Sequence, residues 1–277
     1  MIFSEEQLER YSRHFVLREI GVSGQKKLLN AKVLVIGVGA LGSAALMYLA
    51  ATGVGMIGIA DYDRVERSNL QRQIIHRTEN IGTPKTASAE QTLKEINPDI
   101  SMILHSVQVS ADNIEELILP YDFIIDGTDR FETKFLINDA CVLLKKPYSH
   151  AGAVRFGGQT MTYVPNGGPC LRCLLGSVPP YEQNVSCFEA GVLGAVTGVI
   201  GSIQAAEAVK YLLGIGELLN GRILSFDALS MDIRIARIEK SNPHCSVCGE
   251  APNITSITDN RKEYEINGCS VCSGECK

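Results

Sequence analysis

The sequence predicts an α/β fold: a Rossmann-like, doubly wound, mainly parallel sheet, extended by antiparallel strands and clamped by a structural zinc site. Three observations predict it. Short apolar, β-branched runs alternate with helical segments from residue 32 to about residue 150, the rhythm of successive βαβ units. Gly37, Gly39 and Gly42 form G-x-G-x-x-G between the first such run and the helix after it. Two C-x-x-C pairs, Cys170 with Cys173 and Cys245 with Cys248, supply the four thiolates of a closed tetrahedral zinc site.

Taken in order, SEEQLERYSRHFVL has apolar residues at helical spacing, with Ser4 and Gln7 set for a capping box. KVLVIG is a buried strand. ALGSAALMYLAATG is a helix of small residues, closing at Gly53, that can pack tightly on a sheet. MIGIADYD is a second strand, ending at Asp61 and Asp63. TPKTASAEQTLKEINPDI holds a helix that opens near Pro84 and is closed by Asn97-Pro98. ISMILHSVQV is a third strand, and YDFIIDGTD a fourth that runs into Asp126, Thr128 and Asp129. After about residue 150 the texture changes: AVRFGGQTMTYVP and GRILSFDALSMDIRIARIE alternate like antiparallel strands. Between them EAGVLGAVTGVIGSIQAAEAVKYLLG reads as a long core or interface helix, too broken by glycine and too polar after Gln204 to cross a membrane. The segment from residue 250 is polar, carries Cys269, Cys272 and Cys276, and is expected to be a flexible tail.

Composition limits the function. The chain has 277 residues, 45% hydrophobic and 21% charged, with a formal net charge of −5. That acidity argues against a nucleic-acid partner. No run reaches the roughly 18 apolar residues of a membrane span, and the charged N-terminus has no signal-peptide core. A cytoplasmic location is expected, where nine cysteines are ligands or catalysts rather than disulfides.

The glycine loop, with Ala40 inside it, can approach a phosphate, and Asp61 follows at the distance of a ribose-binding acid. This much suits NAD, FAD or ATP, and an NAD-dependent oxidoreductase is the rival reading. The next segment separates them. Asn69, Arg72 and Gln73 cluster together, and Lys85 opens the following helix; two further cations suit a triphosphate under attack. Asp129, at a strand's carboxyl end beside Thr128, is placed to hold Mg²⁺ against those phosphates. The plainer alternative is a solvated Arg/Lys helix face.

RYSRHFVLREIGVSGQKKL, VLVIGVGALGS, DYDRVERSNLQRQIIH, GTPK, DGTDRFETKFLINDAC, CLRC and CSVCG together resemble the ThiF/MoeB/HesA family, adenylyltransferases that activate sulfur-carrier proteins and are related to ubiquitin-activating enzymes. The resemblance implies a homodimer that binds Mg-ATP and the Gly-Gly tail of a ubiquitin-like carrier of the ThiS or MoaD kind. The carrier's carboxylate attacks the α-phosphate, giving an acyl-adenylate and pyrophosphate. It implies one domain over residues 1–249: an arm (1–30), a nucleotide-binding half (31–150) and a carrier-binding half with the zinc knuckles (151–249). It implies that Asp61 meets the ribose, that Asn69, Arg72 and Lys85 meet phosphates, and that Asp129 binds magnesium. Arg13 is given a reach into the opposite subunit's triphosphate by the resemblance alone.

Cys187 lies in a polar stretch before the long helix, where a thiol gains nucleophilicity. The resemblance implies that a cysteine here takes part in sulfur transfer in the thiamine branch and is dispensable in the molybdopterin branch; an exposed, chemically idle thiol is the plainer alternative. FGGQTMTY and this cysteine lean towards the thiamine branch. No rhodanese-like segment follows, so sulfur is expected from a separate donor such as a cysteine desulfurase. Cys141, within LINDACVLL, reads as core.

Overall fold

The computed structural model describes residues 3–179, 190–238 and 241–265. Eight strands form one sheet in the order β3-β2-β1-β4-β5-β6-β7-β8. They are β1 (Lys32–Ile36), β2 (Met56–Ala60), β3 (Ser101–His105), β4 (Phe123–Asp126), β5 (Tyr148–Val154), β6 (Gly157–Tyr163), β7 (Arg222–Asp227) and β8 (Asp232–Arg237). The first five run parallel. From β5 onward each neighbour is antiparallel. Strand order reverses at β1, whose neighbours are β2 and β4, and ligands bind in the crevice outside the carboxyl ends at such a switch point.

The helices are α1 (Glu5–Arg10), α2 (Ser12–Phe15), α3 (Gly21–Asn30), α4 (Ala40–Thr52), α5 (Lys85–Ile96), α6 (Ile114–Ile118), α7 (Phe131–Leu143), α8 (Leu171–Leu175) and α9 (Gly194–Leu213). β1 and β4 are buried along nearly their whole length because helices cover both faces. On one face α4 and α9 cross so closely that a Cβ on Gly201 would lie 2.3 Å from the Leu41 carbonyl oxygen. α9 is therefore a core helix, and no helix among the described residues is long and apolar enough to cross a membrane. On the other face α7 packs over β4 and β5, with Phe135, Ile137, Cys141 and Tyr148 fully buried.

Several expected boundaries move. The first helix breaks at Tyr11, whose side chain turns inward and accepts a hydrogen bond from Asn97 Nδ2 at 2.9 Å. β3 stops at His105 because its partner β2 ends at Ala60, opposite it. α9 starts at Gly194, and the expected start at Glu189 lies outside the described residues. Gly191 takes φ of 74°, and the strand-like segment around it pairs with Arg155: Arg155 N–H donates to Gly191 O, and Leu193 N–H to Arg155 O. The expected flexible tail from residue 250 is corrected through residue 265. Ile254 and Ile257 are buried, and Tyr264 donates to Asp139 Oδ2 at 2.8 Å, so this segment straps onto α7 and α8. Cys269, Cys272 and Cys276 lie outside the described residues.

Candidate functional site

The glycine loop joins β1 to α4 at the switch point. A Cβ on Gly42 would lie 1.9 Å from Gly37 O, and one on Gly37 (φ 92°) would lie 2.8 Å from Gly127. These two glycines are required by close packing. Gly39 differs: a Cβ there would meet nothing nearer than 3.8 Å, so its open side faces the crevice. Gly39 is also the N-cap of α4 and supplies no side-chain cap, which leaves first-turn N–H groups, beginning at Ala40, for an anion.

A hydrogen-bonded chain leads from this loop to the expected cations. Asp61 Oδ2 accepts from Val38 N–H at 2.7 Å, and its Oδ1 accepts from Asp63 N–H at 2.8 Å. Asp63 Oδ2 pairs with Lys85 Nζ at 2.9 Å, and Lys85 is only 6% exposed. Asp61 thus braces the glycine loop while its carboxylate keeps spare lone pairs, and Asp63 is the ion-pair partner of Lys85. Asn69 sits in a short 3-10 turn (Arg67–Asn69), where its Oδ1 accepts from Glu66 N–H at 3.2 Å. Arg72 follows it, half-buried, and donates to Ser68 O at 2.9 Å. The entry of α9 presses on this turn: a Cβ on Gly194 would be 3.1 Å from Arg72 Cα. Gln73 is buried beside Gly39, and its Oε1 has no partner among the described residues.

Thr128 and Asp129 follow β4. Thr128 donates from its N–H and its hydroxyl to Asp126 Oδ1, at 3.0 and 2.6 Å, and Asp129 is exposed. Arg13, on α2, is exposed and makes no hydrogen bond or ion pair among the described residues. Cys187 lies outside the described residues.

Residues that sequence reasoning passed over brace the site from beneath. His76 Nε2 lies 3.2 Å from Val38 O and its Nδ1 lies 2.9 Å from Ser88 Oγ. Burial pushes its imidazole below the usual histidine range, against the hydrogen bond that Nε2–H donates to Val38 O. Lys134, His150 and Gln204 all converge on Asp126. In the sequence Asp126 reads only as a strand-end carboxylate. Burial alone would raise it, but Lys134, then His150 and Thr128, hold its carboxyl well below the usual carboxylate range.

The second cluster is the four cysteines. Cys170 and Cys173 flank the start of α8, and Cys245 and Cys248 sit in the turn after β8. Their sulfurs lie within 4.8 Å of one another. Four of the sulfur–sulfur separations lie between 3.3 and 3.9 Å. A tetrahedral zinc with Zn–S bonds of about 2.3 Å sets its sulfurs about 3.8 Å apart, so the donor set fits zinc. Hydrogen bonds among the thiols push Cys170 up and pull Cys173 down to about 6. A metal would replace those shared protons. Arg172, between the pair, donates from Nε to Asp139 and brings a second nitrogen 2.8 Å from Asp139 Oδ2, an ion pair without hydrogen-bond alignment.

Comparison with known proteins gives a consistent result. The model described as "ThiF family" matches residues 11–247. "Adenylyltransferase and sulfurtransferase MOCS3" of Anopheles gambiae is 44% identical over 256 residues, covering 92% of this chain and 58% of that protein. MOCS3-2 of Zea mays, with the same description, is 44% identical over 260 residues, 94% of this chain and 54% of that protein. The chain thus spans less than two thirds of these relatives. Among solved structures, E. coli MccB with ATP aligns with TM-score 0.76 at 26% identity, over 87% of this chain and 73% of that one. The microcin C7 biosynthetic enzyme MccB with N-formylated MccA aligns with TM-score 0.77 at 26% identity, over 90% and 77%.

Proposed function

The chain belongs to the ThiF family, and from that premise we propose that it is an adenylyltransferase acting on the C-terminal glycine of a ubiquitin-like sulfur carrier of the ThiS or MoaD kind. The observation that carries this reading is the hydrogen-bonded chain from the glycine loop through Asp61 and Asp63 to the buried ammonium of Lys85. It ties an open helix N-terminus to a cation, which suits an anion richer than a dinucleotide's pyrophosphate.

In this reading ATP is a substrate. Gly39, Ala40 and the N-terminus of α4 cradle its phosphates, while Asp61 takes the ribose with the lone pairs it has left. Lys85 turns from Asp63 to the phosphates, and Arg72, Asn69 and Gln73 approach from the facing turn. The carrier's carboxylate oxygen bonds to the α-phosphorus as the bond to the bridging oxygen of pyrophosphate breaks. Asp129, an exposed carboxylate at the mouth of the crevice, is the residue assigned to Mg²⁺, which supplies charge neutralisation on the phosphates. Zinc at Cys170, Cys173, Cys245 and Cys248 is structural. Arg13 is assigned to the triphosphate of a second copy, which makes the working form a homodimer. Cys187 is assigned to handling the activated carrier, with sulfur delivered by a separate protein such as a cysteine desulfurase. The reading places this chemistry in the cytoplasm.

The test is ATP–pyrophosphate exchange with Gly-Gly-ended carriers. Stimulation by one of them supports the reading, and no stimulation by any of them overturns it.

A further inference from the structure

We propose that His150 and Lys134 are positioning residues, which set the phosphate-binding loop and the Thr128–Asp129 turn through the shared carboxylate of Asp126. The proposal rests on the adenylylation reading and extends it to a network away from the reacting atoms.

Asp126 ends β4 at the switch point and is fully buried. Its acceptors are all engaged. Oδ1 takes the two donors of Thr128 at 3.0 and 2.6 Å. Oδ2 takes Lys134 Nζ at 3.0 Å, from α7, and His150 Nδ1 at 2.9 Å, from β5. The main-chain oxygen takes Gln204 Nε2 at 3.0 Å, from α9 on the opposite face. Lys134 is itself fixed by a second acceptor, Ala151 O, at 2.6 Å. The carboxylate is held from three elements and cannot rotate without breaking one of these bonds.

What it holds has no slack. Gly127 N–H donates to Ile36 O at 2.8 Å. A Cβ on Gly127 would lie 2.7 Å from Gly37 O and 3.1 Å from Gly42 N. The turn after β4 and the glycine loop after β1 are therefore packed backbone on backbone. A shift of Asp126 moves Thr128, and a shift at Gly127 moves the loop that meets the phosphates.

The charges explain why the third member is a histidine. Burial pushes the imidazole of His150 below the usual range, and Lys134 adds to this against the pull of Asp126. His150 is then a neutral Nδ1–H donor, and the buried ion pair stays balanced. Buried ion pairs return little net stability compared with apolar side chains of equal volume. Their return here is geometric: a carboxylate fixed in orientation beneath a phosphate site. Partners that orient metal ligands at one remove commonly change affinity or activity by about ten- to hundredfold when removed, and a fall of that order is expected here.

The experiment compares His150→Leu with His150→Asn in the full chain, because the Asn amide nitrogen overlies Nδ1 and can still donate to Asp126. Five quantities are read: kcat and KM for ATP in carrier-stimulated exchange, ATP affinity by calorimetry, Tm, and the wild-type imidazole tautomer by long-range ¹H–¹⁵N NMR without nucleotide. The expected result is the Nδ1–H tautomer, a His150→Leu kcat about ten- to hundredfold down with KM changed much less, and rescue by His150→Asn. A His150→Leu protein with wild-type kcat overturns the proposal. So does an Nε2–H tautomer, or an equal fall of both variants in kcat and Tm, which would make His150 packing only. Absence of exchange in the wild type sinks the adenylylation reading instead; the tautomer and calorimetric affinity still read the network.

Discussion

Gly39 and Gly42 lie in one loop and meet opposite surroundings. A Cβ on Gly42 collides with Gly37 O, while one on Gly39 makes only ordinary contacts, the nearest at 3.8 Å from Gly127 O. Gly42→Ala is therefore expected to destabilise the fold by about 2–3 kcal/mol through overpacking, seen as a lower denaturation midpoint. Gly39→Ala is expected to leave that midpoint unchanged and weaken ATP binding in calorimetry. Equal stability losses in the two variants would refute the assignment of Gly39 to the ligand side. Lys85 is read the same way. Its ammonium is buried and pairs, among the described residues, with Asp63, so Lys85→Ala should reduce carrier-stimulated exchange by about a hundred- to a thousandfold, the usual loss on removing one donor aimed at developing charge.

At the level of elements, the strap of residues 250–265 and the two cysteine turns depend on each other. Asp139 of α7 accepts from Arg172 next to the Cys170 turn and from Tyr264 of the strap, and Asn138 Oδ1 accepts from Leu171 N–H at 2.8 Å. Asp139→Ala would strand a buried guanidinium, at a cost of about 3–5 kcal/mol, measurable by urea denaturation. With zinc at the four cysteines as proposed, its chelation is expected to make the strap sensitive to protease before the parallel sheet is cut, because Cys245 and Cys248 hold the chain that leads into it. A protein whose strap stays protected after complete zinc removal would count against the structural role of the site.

For the whole molecule, three buried or half-buried histidines set the acid limit. Burial holds His76, His105 and His150 below the usual histidine range. Unfolded histidines near pKa 6.5 take up protons first as pH falls, so stability from these groups is present above about pH 6.5 and declines below it. Asp126, held low, adds a further loss below about pH 4. Asp139, raised mainly by its burial, acts in the opposite sense above about pH 4. Calorimetric Tm should therefore drop between pH 7 and pH 5, and a flat profile would contradict the neutral histidines. The proposed homodimer has its own test. Arg13→Ala and Lys85→Ala proteins, each inactive alone, should on mixing recover about a quarter of wild-type sites through hybrid dimers of closed symmetry. No recovery after subunit exchange would remove Arg13 from the partner's site.

The sequence by itself determined the alternation of strands and helices, the glycine loop, the cations at Arg72 and Lys85, and the two cysteine pairs. Each of these is written at fixed short spacing: hydrophobic period, G-x-G-x-x-G, C-x-x-C. The tertiary structure decided which strand ends share a carboxylate. His150 and Gln204 reach Asp126 across 24 and 78 residues of chain, and Tyr264 reaches Asp139 across 125. Hydrogen bonds between neighbouring strands and covering helices follow strand order, which local periodicity does not encode. The same reason hid the strap: Ile254 and Ile257 have no repeating pattern around them and are buried only because α7 and the cysteine turns leave an apolar surface for them to cover.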